Sequence, residues 1–82
     1  MPTVLRVDGY EIMIYLHDHL PAHVHVFVAG GEVVINLNCR GGELEIREVY
    51  KLKAREVRKA LEVVTEHREL LCSMWRQIHG DF

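Results

Sequence analysis

The sequence predicts an α+β fold: a mainly antiparallel sheet of four or five strands, built from two hairpins and covered on one face by a long C-terminal helix. Three observations lead there. Two-residue turn signals, Asp8-Gly9 and Gly30-Gly31, each separate segments that alternate apolar and polar side chains. From about residue 54 to 79 the apolar residues recur instead at three- and four-residue spacing. The chain has 82 residues, enough for one core and no more, so strands over about 3–47 and a helix over about 54–79 form a single domain, 1–82. A deep private substrate cavity is not expected at this size, so an active site would be shallow or shared with a partner.

In the first hairpin a turn at Asp8-Gly9 pairs Val7 with Tyr10, Arg6 with Glu11 and Leu5 with Ile12. That register gathers Leu5, Val7, Tyr10, Ile12 and Ile14 on one face and sets Arg6 against Glu11 on the other, a favourable cross-strand pair. The second strand is expected to run over 10–16. In the second hairpin a loop at Gly30-Gly31 pairs Val28 with Val33, Val26 with Ile35 and Val24 with Leu37, an apolar core face. The opposite face then carries Phe27 beside Val34, His25 beside Asn36 and His23 beside Asn38. Side chains alternate along a strand, so His23 and His25 point the same way, about 6–7 Å apart. Cys39-Arg40-Gly41-Gly42 reads as a further turn, and the alternation over 43–47, with Leu44 and Ile46 inward, as a short fifth strand. In the helix, Val57, Ala60, Leu61, Val64, Leu71, Met74, Trp75 and Ile78 form the apolar stripe, and Gly80 is a natural stop. One straight helix of this length would run about 39 Å, so a bend or a projecting end is foreseen. A second copy of the chain is one way to cover the sheet's other face, which makes a homodimer an expectation of geometry alone.

Composition excludes several classes of function. Apolar residues are 49% and charged residues 27%, the balance of a globular rather than a disordered chain. Formal net charge is −2 with neutral histidines, which argues against nucleic-acid affinity over the whole surface and leaves room for a local basic patch. No apolar run approaches about 18 residues, so no transmembrane helix is predicted. The opening Met1-Pro2-Thr3-Val4-Leu5-Arg6 lacks the charged-then-apolar layout of a signal peptide. Cys39 and Cys72 form no metal motif and, without an export signal, read as free thiols in a reducing compartment. The expected location is the cytoplasm.

The unusual count is six histidines, four of them within His17-Asp18-His19-Leu20-Pro21-Ala22-His23-Val24-His25. Pro21 separates His17 and His19 from the strand that carries His23 and His25. Asp18 can orient an imidazole by accepting its second N–H. Three readings stay open. His23 and His25 can act as general base and general acid near neutral pH, with His19 and Asp18 in support, the pairing that metal-independent RNA cleavage needs. Alternatively His23 and His25 ligate zinc or another transition metal, with His17, His19 or Asp18 completing the set. In the third reading the rings only fill strand positions and bond to neighbours such as Asn36 and Asn38. A basic stretch at the start of the helix, Lys53, Arg55, Arg58 and Lys59, is either a phosphate-holding surface or a solvated face with helix pairs such as Arg58 to Glu62. His67 and Trp75 fall on the apolar stripe and read as core residues.

These residues also carry a resemblance. Met1 to Arg6, Gly9-Tyr10, the run from Asp18 to Val26, Arg55 to Leu61, Glu66 to Glu69 and Trp75-Arg76 resemble a bacterial and cyanobacterial family called domain of unknown function 4160. The family's Asp-His-x-Pro-Pro-His-Val-His motif falls on Asp18, His19, Pro21, His23 and His25, with Ala22 in place of the second proline. Lys53 stands where a Ser-like helix cap is common. The resemblance implies a small protein paired with a member of domain of unknown function 2442, the two forming a toxin–antitoxin module with this chain as the toxin. The functional expectation is therefore a toxin-like protein acting on RNA through His23 and His25. A metal-binding module and a non-catalytic domain that only binds its partner protein are the alternatives. The first needs no cofactor; the metal reading needs zinc or a similar ion.

Overall fold

The computed structural model describes residues 3–80; Met1 and Pro2, at the head of the quoted N-terminal motif, and Asp81 and Phe82 lie outside them. The elements are β1 (Thr3–Val7), β2 (Tyr10–Met13), β3 (His23–Val28), β4 (Gly31–Asn36), β5 (Glu45–Tyr50), α1 (Ala54–Glu66) and α2 (Arg68–His79). The five strands form one sheet in sequence order, every neighbour antiparallel. The α+β expectation holds, with the helical half divided in two.

The first hairpin takes the expected register: Leu5 faces Ile12, Arg6 faces Glu11 and Val7 faces Tyr10. Asp8 (φ 49°) and Gly9 (φ 82°) make the left-handed pair that a two-residue hairpin turn requires. Arg6 Nε lies 2.8 Å from Glu11 on the exposed face. β2 stops at Met13 rather than running to residue 16, because the Asp18 carboxylate takes the Tyr15 N–H from the sheet at 2.8 Å.

The second hairpin differs from expectation by two residues. The turn is Ala29-Gly30 (φ 50° and 80°), not Gly30-Gly31. Val28 therefore faces Gly31, Val26 faces Val33, His25 faces Val34, Val24 faces Ile35 and His23 faces Asn36. A shift of two preserves both faces, so Val24, Val26, Val33, Ile35 and Leu37 still enter the core. Gly31 is needed elsewhere. A Cβ there would come within 2.5 Å of the Tyr50 and Lys51 carbonyl oxygens and 2.7 Å of Leu52 Cδ2. Gly31 is thus the bare spot on which the chain leaving β5 lies.

β5 is longer and later than expected, Glu45–Tyr50 instead of 43–47, and all six of its residues are exposed. Ile46 is 43% exposed rather than inward. At the helix, Glu56 accepts the Lys53 backbone N–H at 2.8 Å, so α1 starts cleanly without a Ser-like cap. The expected single helix over residues 54–79 breaks at His67 (φ −113°, ψ 17°). The His67 imidazole Nδ1–H and backbone N–H both turn to the Val63 carbonyl, at 2.9 and 3.3 Å. A straight helix of about 39 Å would exceed the 33 Å longest dimension of the described residues. The break lets Leu71 and Trp75 of α2 reach the cluster that holds Ala60, Val63 and Val64 of α1 together with Ile12, Ile14, Val24 and Ile35 of the sheet. Each such aliphatic side chain contributes about 1.5–3 kcal/mol by burial.

Cys39 and Cys72 are not free thiols: they form a disulfide with Cα atoms 5.9 Å apart. It ties the β4–β5 connection to α2, so the cysteines carry no argument for a reducing compartment. No helix among the described residues is long and apolar enough to cross a membrane.

Two stability outcomes follow. Gly31→Ala should lower the unfolding free energy by about 2–3 kcal/mol, the range for overpacking against backbone, in a urea titration; a change near zero would show that the Tyr50–Leu52 segment yields freely. Reducing Cys39–Cys72, which spans 33 residues, should cost about 3–4 kcal/mol by loop entropy, read as a fall in melting temperature on adding reductant. An unshifted melting curve with both thiols titrated would refute that contribution.

Candidate metal and acid–base centre

His23 and His25 stand on the outer row of β3, with Asn36 and Val34 opposite them on β4. The connection from β2 folds back over this row. Its turn closes through Asp18 N–H to the Tyr15 carbonyl at 3.1 Å and Tyr15 N–H to Asp18 Oδ2 at 2.8 Å. Asp18 Oδ1 is thereby aimed at both rings, 3.2 Å from His25 Nε2 and 3.4 Å from His23 Nε2. The side chains of Asp18, His23 and His25 are only 11%, 7% and 16% exposed.

The outer nitrogens settle the tautomers. His23 Nδ1 lies 2.8 Å from the Pro21 carbonyl, and His25 Nδ1 lies 2.9 Å from the Glu32 carboxylate. Both partners only accept, so each Nδ1 carries the proton and donates it. In the neutral rings each Nε2 is then a bare lone pair, and two lone pairs converge on a carboxylate oxygen. Such a meeting of acceptors is repulsive unless positive charge, as protons or a metal ion, lies among them. The ligand atoms of Asp18, His23 and His25 all fall within 4.8 Å of one another.

Aromatic contacts brace the rings. Tyr15 meets His25 edge-on with centroids 4.7 Å apart, and Trp75 of α2 contacts His23 at 5.3 Å. His79 lies on Trp75 at 4.2 Å and donates Nε2–H to the Tyr15 carbonyl at 3.0 Å. Burial alone would raise the Asp18 carboxyl. The Tyr15 N–H, the His25 hydrogen bond and the charges of His25 and His23 outweigh it and hold the group below its ordinary range. Burial first, then the charges of Glu32 and Asp18, push the Tyr15 phenol above its ordinary value, so it stays protonated at neutral pH.

Of the residues singled out from sequence, the fold joins Asp18, His23 and His25. His17 and His19 are exposed, and neither belongs to the cluster of ligand atoms. His19 borders a hollow of about 300 Å³ together with Asp18, Trp75 and His79. Lys53, Arg55, Arg58 and Lys59 are exposed over the first turns of α1. Glu32, Trp75 and His79 are site residues that sequence reasoning did not place there. Glu32 could have been found: with the turn at Ala29-Gly30 it sits diagonally from His25 on the same face.

A family model described as Domain of unknown function (DUF4160) matches residues 9–76. The chain belongs to the DUF4160 family. The match takes in Asp18, His23, His25 and Glu32 and extends through Trp75, so the whole cluster except His79 lies inside the DUF4160 region. No curated protein and no solved structure matches the chain.

Asp18 should matter to the fold through one bond above all. Asp18→Ala leaves the Tyr15 N–H without its acceptor and should cost about 1–3 kcal/mol, whereas Asp18→Asn keeps an oxygen for that N–H and should lose less than half as much. Equal losses in urea unfolding would show that the Tyr15 bond is not what Asp18 contributes.

Proposed function

We propose that Asp18, His23 and His25 hold a divalent transition-metal ion, zinc being the best chemical match, at a hydrolytic centre. The supporting observation is the pair of distances, 3.2 and 3.4 Å, between Asp18 Oδ1 and the two Nε2 atoms. Zinc takes nitrogen and oxygen ligands tetrahedrally at about 2.0–2.1 Å, which sets ligand-to-ligand edges of about 3.3–3.4 Å. The outer tethers fit as well: ligating histidines give their second N–H to a carboxylate or carbonyl, as His25 does to Glu32 and His23 to Pro21. Three protein ligands leave a fourth position for water, whose pKa such an ion lowers to about 7.

In this reading the chain is the toxin-like member of a protein pair. Its partner is a protein of domain of unknown function 2442 and its target class is RNA. The role is what the family resemblance implies, and a polar centre in a small domain is compatible with it. A second reading keeps the same residues without metal: one ring, protonated beside Asp18, serves as general acid and the other, neutral, as general base. The convergence of both Nε2 atoms on one carboxylate oxygen favours it equally.

Metal analysis of untagged protein separates the two. About one zinc per chain is expected, lost in His25→Ala. At a hundredfold excess over Kd, zinc should add about 2.7 kcal/mol of stability, a rise of roughly 10 °C or more for a domain of this size. Cobalt should give the visible bands of a tetrahedral site. Sub-stoichiometric metal with no thermal response to zinc, cobalt or manganese overturns the metal centre. Growth arrest on induction, relieved by the His23→Ala/His25→Ala double variant at equal level, is expected for the toxin-like role; arrest that persists in the variant refutes a role for these histidines.

A further inference from the structure

A second built feature lies across the molecule's edge from the histidines. Arg68 and Arg76 sit one turn before and one turn after Cys72 on α2, and so share its face. The Cys39–Cys72 disulfide draws the neighbouring Arg40 onto that face from the β4–β5 connection. The three arginines bound one hollow of about 500 Å³, in which Glu69 is the only acidic lining residue. The whole chain carries a formal charge of −2, so this concentration of positive charge is local. Arg68 gives an Nη2–H to the Asn38 carbonyl, which fixes its guanidinium toward the connection. Arg68 also opens α2, where the helix dipole already favours an anion.

We propose that this hollow binds phosphate and takes the backbone of a single-stranded phosphodiester chain that runs on to the Asp18 centre. Continuity of the surface carries the second half. The arginine hollow shares Cys39, Arg40 and Gly41 with a neighbouring hollow of about 640 Å³ that is walled by Leu20 and Pro21. Leu20 in turn borders the hollow that holds Asp18 and His79. The result is a run of adjoining hollows with the arginines at one end and Asp18, beside His19, Trp75 and His79, at the other. Leu20 lies between them and is 62% exposed, an apolar rest for an unstacked base. Arginine is the cation suited to such a site, because its planar fork meets two phosphate oxygens at once. Lys53, Arg55, Arg58 and Lys59 border none of these three hollows.

Only the Asp18 end of this run of hollows rests on the proposed centre; phosphate binding at the arginines stands apart from it. The test is fluorescence anisotropy of a labelled mixed-sequence RNA decanucleotide with the full chain, disulfide intact and zinc added. Arg40→Glu should weaken binding by about tenfold or more, and Arg40→Gln should lower the slope of log K against log salt by about 0.7, one single-strand phosphate contact. Inorganic phosphate should compete. Treatment with a chelator should leave binding within about threefold, since neutralised phosphates supply most of such affinity. Absence of metal with Arg40-dependent binding would refute the centre and uphold the arginine site; a full zinc complement without RNA binding would do the reverse. Arg40→Glu binding like the parent, or loss on Arg55→Glu/Arg58→Glu with Arg40→Glu intact, overturns the assignment. An oligoglutamate peptide that binds as tightly as the RNA overturns it in favour of an acidic protein partner.

Discussion

The backbone of Tyr15 is the point on which the site hangs. Its N–H goes to Asp18 Oδ2, and its carbonyl accepts from the Asp18 N–H and from His79 Nε2. The first bond ends β2 early, because an N–H given to a side chain cannot also serve the sheet ladder. The second closes the turn and swings Asp18 Oδ1 over the β3 histidines. The third fastens the last turn of α2 to the same residue, which brings Trp75 against His23. One residue outside regular structure therefore aligns a strand, a turn and a helix end. The main chain of Tyr15 makes these three bonds, while its ring meets His25 edge-on.

That explains why the fold was more legible than the site. Alternation and the Asp8-Gly9 turn determine the first hairpin, down to the Arg6–Glu11 pair. The apolar period marks both helices, and the common face of His23 and His25 follows from the pleat of one strand. The second hairpin was misread because Gly30 and Gly31 both satisfy the local requirement for left-handed backbone, and only a tertiary approach, the Tyr50–Leu52 segment lying on Gly31, decides between them. The same slip hid Glu32, since His25 finds its carboxylate only in the register that Ala29-Gly30 creates. The disulfide was hidden for a related reason. Cys39 and Cys72 come together because the helix breaks at His67, and no periodicity signals that break when the apolar stripe continues through it.

The site combines rigid supports with unresolved charge. Each imidazole is fixed at Nδ1, by Pro21 or by Glu32, and each face is met by an aromatic ring. A purely structural histidine pair would use its second nitrogen to satisfy a donor or reach water. Here both second nitrogens point at a carboxylate that a backbone N–H has already fixed. The carboxyl is kept ionised against its own burial. The Tyr15 N–H, the His25 hydrogen bond and the charges of His25 and His23 do this, so positive charge beside Asp18 is part of the arrangement. A captured proton makes the pair an acid, and a captured ion makes it a Lewis-acid centre.

The rest of the interior agrees on where the strain is placed. Among the described residues two buried side-chain polar atoms lack hydrogen-bond partners, Asn36 Oδ1 and Trp75 Nε1. Both belong to residues bordering His23: Asn36 faces it across β3 and β4, and the Trp75 ring lies against it. Each such atom costs about 1–3 kcal/mol, a large share of the stability of so small a domain. Elsewhere the core is aliphatic and needs no such concession. A chain selected for stability alone would put a leucine at position 23, where the ring is 5% exposed, and would remove the need for Asn36 and Trp75 to face a polar group. The fold instead buries a tethered imidazole there, beside an acceptor and a donor that lack partners, so the local conflict with packing gathers at the Asp18 cluster.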